Sequence, residues 1–182
     1  MTDLIQINEN NIYITFEITE QKDVRLLNFS PFKYNSNSIN TKKDKKWFRV
    51  VELQVTGENQ DDHHGEKHTG TSPADRLKYK DFKDYNNEMG RKLEIIMTEK
   101  NLSVTVHYQF YNNVPVIRAW IEVTNKGNKA QGIEYISSFA LTGIARKGLQ
   151  DWDEKSNVYL PHNSWKGEFQ WRKYGVKELG GF

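Results

Sequence analysis

Hydrophobic and polar residues alternate along much of the chain with a period of two. The alternation is clearest at residues 12–19, where isoleucine and phenylalanine fall on one face and tyrosine, threonine and glutamate on the other. Because successive side chains of a strand point to opposite faces of a sheet, this pattern predicts a half-buried β-strand. No segment has a convincing helical period. The same alternation predicts further strands at residues 47–55, 92–97, 103–110, 116–124 and 133–141.

Turn-forming residues separate the last four of these predicted strands. Asparagine, glycine and proline are concentrated at or close to residues 99–101, 112–115 and 125–128, and these residue types favour tight turns. Three successive hairpins predict an antiparallel meander. Since two amphipathic sheets hide their apolar faces against each other, we expect an all-β fold, an antiparallel β-sandwich.

The chain length sets the number of domains. A chain of 182 residues can bury a real core but is short for a complete (β/α)8 barrel enzyme, so we expect one β-sandwich domain over residues 1–182. Residues 57–90 form a connection far longer than a hairpin needs. Because a loop of that length in a compact domain is functional or disordered, and this one carries histidines and aromatic residues, we expect one long functional loop.

Charge and composition exclude several classes of partner. Lysine and arginine number 26 against 24 aspartate and glutamate, with the signs interspersed except in the lysine run at 42–46, so we expect no nucleic-acid partner. A solvated loop explains the lysine run better than a phosphate contact. The chain has no cysteine and no apolar stretch of membrane-spanning length, and its first residues lack the pattern of a signal peptide. We therefore expect a soluble, cytoplasmic protein without a membrane partner.

The long loop contains the densest cluster of polar side chains, within residues 61–71. A metal site is one interpretation, but the spacing matches no recognised metal signature, so we predict no metal and no cofactor. Hydrogen bonding to a sugar hydroxyl, or to another domain, is a second interpretation, and a surface loop without a ligand is a third. The candidate substrate-binding residues of this loop are Asp62, His63, His64 and His68.

A second cluster, rich in aromatic residues, covers residues 160–172 and includes Trp165 and Trp171. An indole ring offers a flat apolar face on which the C–H face of a pyranose can stack, and the neighbouring asparagine, histidine and glutamate can supply hydrogen bonds. The alternative is that both tryptophans belong to the core of the sandwich.

Glycoside hydrolysis requires two carboxyl groups that converge on the substrate. Nothing in the sequence shows that any two of the available acids converge, so we predict no catalytic residue within this chain. The candidates by residue type are Asp61, Asp62, Asp151, Asp153 and Glu168.

Three segments resemble family 36 of the glycoside hydrolases. Residues 112–127 resemble the "lPVIRRW…VTNtG" hairpin of that family, 136–139 resemble the strand that follows, and 163–169 resemble its "GxWxREf" segment. The motifs occur in the family's order, and the resemblance covers roughly residues 47–182. At 166–167 this chain has Lys-Gly in place of the usual small residue and arginine, which leaves any role of that arginine unsupported.

The resemblance implies a function that composition alone does not. It implies the amino-terminal β-supersandwich of a retaining α-galactosidase, which precedes a catalytic barrel carrying the aspartate nucleophile and the aspartate acid/base. Residue 182 would lie near the linker to that barrel. The resemblance also implies that Trp165 reaches into the sugar pocket, and that the partners are an α-galactoside, the protein's own catalytic barrel and further copies in a homo-oligomer. The alternative is a free-standing carbohydrate-binding β-sandwich module.

Overall fold

The computed structural model describes residues 2–36, 48–58, 69–141 and 156–179. The chain divides into two compact units. The first consists of Met1–Ser36 and Asn40–Thr142, and the second of Asn37–Ile39 and Gly143–Phe182.

The described part of the first unit consists of strands and one short helix. Its strands form three antiparallel sheets with the orders β1-β2-β3, β4-β9 and β5-β6-β7-β8, which confirms the predicted all-β antiparallel fold. In chain order the elements are β1 (Asp3–Glu9), β2 (Ile12–Ile18), β3 (Val24–Ser30), β4 (Leu53–Val55), α1 (Ser72–Arg76), β5 (Lys78–Asn87), β6 (Gly90–Glu99), β7 (Leu102–Tyr111), β8 (Val114–Asn125) and β9 (Ile133–Ile136).

The three sheets of the first unit turn their apolar faces to one core. The ring of Phe16 on β2 contacts that of Tyr108 on β7, with centroids 5.4 Å apart, so residues distant in sequence meet in the centre. Burying an aliphatic or aromatic side chain of this size contributes about 1.5–3 kcal/mol. This packing agrees with the predicted sandwich. Other buried members of the core are Ile14, Leu26, Leu53, Leu93, Ile95, Val104 and Val106.

Two of the three predicted hairpins are present, and the third prediction was wrong. β6 pairs with β7, and β7 pairs with β8, but β9 pairs with β4 instead of β8. The side chain of Asn125 explains the difference, because it donates to the carbonyl of Lys129 and accepts from the amide of Gly127. These bonds engage the backbone of Gly127 and Lys129 within the connection, and the chain continues from there to β9 in the other sheet.

The predicted strand at 47–55 is also shorter than expected. Within its described part, pairing is limited to β4 and to an isolated bridge between Arg25 and Arg49.

The prediction of one long loop over residues 57–90 was wrong for its second half. α1 and the ten-residue strand β5 occupy most of residues 72–87. β5 lies at the edge of its sheet, and only Tyr79 and Phe82 pack against the core. Charged residues take most other positions, as is typical of edge strands, so the alternation there is too weak to see.

The described part of the second unit is a β-hairpin. β10 (Asn157–Ser164) and β11 (Gly167–Gly175) pair antiparallel and are followed by a 3-10 turn at Lys177–Leu179. The sequence did not predict these strands, because apolar residues occupy both faces of the hairpin and remove the period-two signal. Within the described ranges, no helix is long and apolar enough to cross a lipid bilayer.

Candidate functional site

The tip of the β10–β11 hairpin carries the most exposed aromatic side chain on this hairpin. Trp165 and Lys166 connect the paired residues Ser164 and Gly167. Lys166 has a positive φ of 65°, which allows the two strands to join through only two residues. The side chain of Trp165 is 92% exposed. In the described structure it is therefore not a core residue.

Phe169 lies four residues after Trp165 and has an unusual backbone conformation. Its φ is 55°, although bulky residues rarely enter the left-handed region. Its amide N–H donates to Oδ1 of Asn163 on the opposite strand, at 3.0 Å, where the pairing register shifts between His162 and Ser164. Its side chain is 73% exposed. A cross-strand contact thus fixes the backbone while the ring stays in solvent.

The tip forms a shallow groove of about 490 Å³ that is open to solvent. Its lining combines two aromatic rings with an amide, a hydroxyl, an ammonium and a carboxylate. These groups can stack on an apolar ring face and both donate to and accept from hydroxyl groups. The lining residues are Asn163, Ser164, Trp165, Lys166, Glu168 and Phe169.

A polar contact between the two strands also holds the hairpin. Tyr174 Oη lies 2.8 Å from His162 Nε2, and the two ring centroids are 5.6 Å apart. Tyr174 also pairs across the hairpin with Val158. This half-buried contact stiffens the strands that carry the tip.

A row of polar residues crosses the outer face of the sheet β5-β6-β7-β8 in the first unit. The register places Glu94, His107 and Trp120 side by side on adjacent strands. The His107 ring stacks on Trp120 with centroids 4.6 Å apart. Burial, reinforced by the charge of Lys92, lowers the pKa of His107 although Glu94 and Glu122 oppose the shift.

Glu94 is the most strongly perturbed carboxyl group of this row. Burial raises its pKa, but hydrogen bonds from Lys92, Tyr85 and Lys83 outweigh burial and lower the pKa to about 2. Hydrogen bonding to Lys100 likewise lowers the pKa of Glu58. A general acid needs a raised pKa, so neither carboxyl group is tuned as one. Among the described residues, no three metal-binding side chains are grouped to hold an ion.

The four loop residues predicted to bind substrate, Asp62, His63, His64 and His68, lie outside the described residues. The chain on either side of them is anchored to the first unit. Before the segment, Glu58 forms ion pairs with Arg76 at 2.6 Å and with Lys100 at 2.8 Å.

After the segment, the amide of Thr71 donates to the buried Glu52 at 3.3 Å, and its hydroxyl donates to the Leu53 carbonyl at 2.7 Å. These contacts hold the described residues on either side of the segment to the first unit.

Comparison with protein-family models, curated proteins and solved structures gives no match for this chain.

Proposed function

We propose that this chain is the non-catalytic amino-terminal β-sandwich of a retaining α-galactosidase, and that its β10–β11 tip binds the sugar. One observation carries the proposal: Trp165 presents an indole that is 92% exposed at a tight turn, in a groove that also contains Asn163 and Glu168. Stacking on a pyranose requires an exposed ring that is not packed in the core and that has hydrogen-bonding groups around it.

The proposed role is non-catalytic because the family that the chain resembles carries both catalytic carboxyl groups in its barrel, and the two described acids with shifted pKa values add no group tuned as a general acid. The pKa values of Glu58 and Glu94 are both lowered, and a lysine side chain donates a hydrogen bond to each carboxylate. Such carboxylates stay ionised near neutral pH and cannot protonate a leaving group. On this proposal the nucleophile and the acid/base come from the catalytic barrel.

The resemblance also supports a homo-oligomer in which the tip approaches a sugar pocket, and the lack of cysteine fits a reducing compartment such as the cytoplasm. A free-standing carbohydrate-binding module would use the same tip. The coding sequence downstream of Phe182 distinguishes the two hypotheses. An α-galactosidase would continue into a catalytic barrel, whereas a free-standing binding module would not.

The test of the proposal is Trp165→Ala. Removing a stacked ring costs about 1.4 kcal/mol or more of binding energy, so we expect at least a tenfold weaker affinity for melibiose. The melting temperature should hardly change, because the ring buries little surface. The measurement is calorimetric titration of the sugar beside thermal unfolding, with Phe32→Ala as the control, since Phe32 is 75% exposed and remote in sequence.

A core tryptophan would behave in the opposite way. Its truncation would cost about 3–5 kcal/mol of stability. A collapsed melting temperature with intact sugar binding would therefore assign Trp165 to the structure and withdraw the proposal.

A further inference from the structure

Phe169 has a backbone conformation that its residue type does not favour. Its φ of 55° places Cβ close to the following carbonyl oxygen, a conformation that asparagine and glycine tolerate but bulky residues avoid. Six other described residues besides glycine have a positive φ, and none of them is aromatic: they are Asn10, Asn11, Lys22, Lys100, Asn113 and Lys166. Phe169 is the one aromatic residue of this set.

The strain at Phe169 comes from the opposite strand. The hydrogen bond from its amide to Asn163 Oδ1 and the register shift between His162 and Ser164 both favour this backbone conformation. Strained residues of this kind persist where the surrounding structure determines them, and they concentrate at ligand-binding sites.

Packing of the Phe169 ring does not compensate for the strain. The ring is 73% exposed, so it gains little from contacts in the described structure. It does line the groove that contains Trp165. The Phe169 backbone is strained while its ring stays in solvent near a second exposed ring. This combination indicates that the ring makes its contact only when a ligand is present.

We propose that Phe169 is a second ligand-contacting ring of the tip, so that a neutral pyranoside binds between it and Trp165. This inference rests on the proposed sugar-binding function. Asn163 then has two roles: its Oδ1 holds the Phe169 backbone, and its Nδ2 protons can donate to a sugar hydroxyl. The site therefore selects a ligand with two apolar faces and a polar rim.

The experiment separates the ring of Phe169 from its backbone strain. Phe169→Asn removes the ring and places at this φ a residue that tolerates it, whereas Phe169→Tyr keeps a ring. Phe32→Asn is the matched control, because Phe32 is 75% exposed against 73% for Phe169 and does not line the groove. Each variant is titrated with melibiose, and amide hydrogen exchange is measured along β10 and β11.

We expect Phe169→Asn to weaken melibiose binding at least tenfold while the hairpin amides exchange at the same rate or more slowly. Phe169→Tyr should bind within about twofold of the wild type, and Phe32→Asn should bind unchanged. Loss of binding together with faster exchange along β11 would assign the ring a structural role and overturn the inference.

The remaining outcomes distinguish the inference from the proposed function. If Trp165→Ala loses binding while Phe169→Asn keeps it, only the inference fails. If the wild-type chain does not bind melibiose, both fail.

Discussion

Tyr108 places a hydroxyl group in the centre of the core. The residue is completely buried on β7, its ring contacts Phe16 and Phe139, and its hydroxyl has no hydrogen-bond partner among the described residues. Burial accordingly raises the pKa of Tyr108. An unsatisfied buried hydroxyl costs about 1–3 kcal/mol, whereas a phenyl ring of the same shape carries no such cost.

Tyr108→Phe should therefore stabilise the protein by about 1–3 kcal/mol. The measurement is urea unfolding, with the midpoint compared at an unchanged slope. A loss of stability would show that the hydroxyl has a partner beyond the described residues.

Glu94 makes the stability of the outer sheet face depend on pH. Its Oε1 accepts from the Tyr85 hydroxyl at 2.9 Å and contacts Lys92 Nζ at 3.0 Å. Burial opposes ionisation, but these hydrogen bonds lower the pKa in the folded state to about 2, from 4.5 in the unfolded chain. The folded state then binds fewer protons, so its stability is complete above pH 4.5 and is lost as the pH falls towards 2.

We expect the free energy of unfolding to fall by on the order of 2 kcal/mol between pH 5 and pH 2 because of Glu94. The lowered pKa of His107 acts in the same direction at pH values below about 6.5. Glu94→Gln should be less stable at pH 7 and should flatten the acid limb of the curve. An unchanged acid limb in that variant would contradict this assignment.

At the scale of elements, a glycine at the start of β6 lies close against the backbone at the end of β7. Gly90 has a φ of 142°, and a Cβ atom there would lie 2.6 Å from the Phe110 carbonyl oxygen. Gly57 also has a positive φ, 81°, but a Cβ atom there would meet no atom of the described residues within 4 Å. The two positions share the conformational restriction and differ in the space available.

Gly90→Ala should therefore cost more stability than Gly57→Ala, by about 1–3 kcal/mol, because only the first adds a clash with backbone to the strain. Chemical unfolding of both variants measures the difference. Equal losses would show that β6 shifts to accommodate the methyl group.

The strands that the sequence predicted are those in which apolar residues occupy one face. β2 and β7 each show the alternation in full, and the inward residues of β7 are at most 5% exposed. β5 was missed because its edge position favours charged residues. The β10–β11 hairpin was missed because both of its faces carry apolar side chains.

The candidate site was likewise predicted only in part from the sequence. Trp165 was identified from its residue type and its motif, and the exposure of its ring removes the core alternative in the described structure. The contribution of Phe169 could not be predicted, because it arises from a cross-strand bond to Asn163 and from a φ value. Neither feature leaves a periodic signal in the sequence.

At the scale of the whole molecule, the chain should fold and bind without cleaving. The core of the first unit supplies the stability, and no described carboxyl group with a shifted pKa is tuned as an acid catalyst. We expect no release of nitrophenol when the purified chain is incubated with p-nitrophenyl α-galactoside. The chain with Glu168→Gln serves as the control, and turnover that disappears in this variant would place catalysis at the hairpin tip.

The exposure of Trp165 also gives the protein an optical reporter of its own. An indole in water emits at longer wavelength than a buried one and is quenched by dissolved iodide, so the spectrum of the whole chain contains a component that comes from the tip. Replacing Trp165 by phenylalanine isolates that component by difference. A molecule that covers the ring would shift the emission and shield it from the quencher, so occupancy of the tip can be followed in solution without a label.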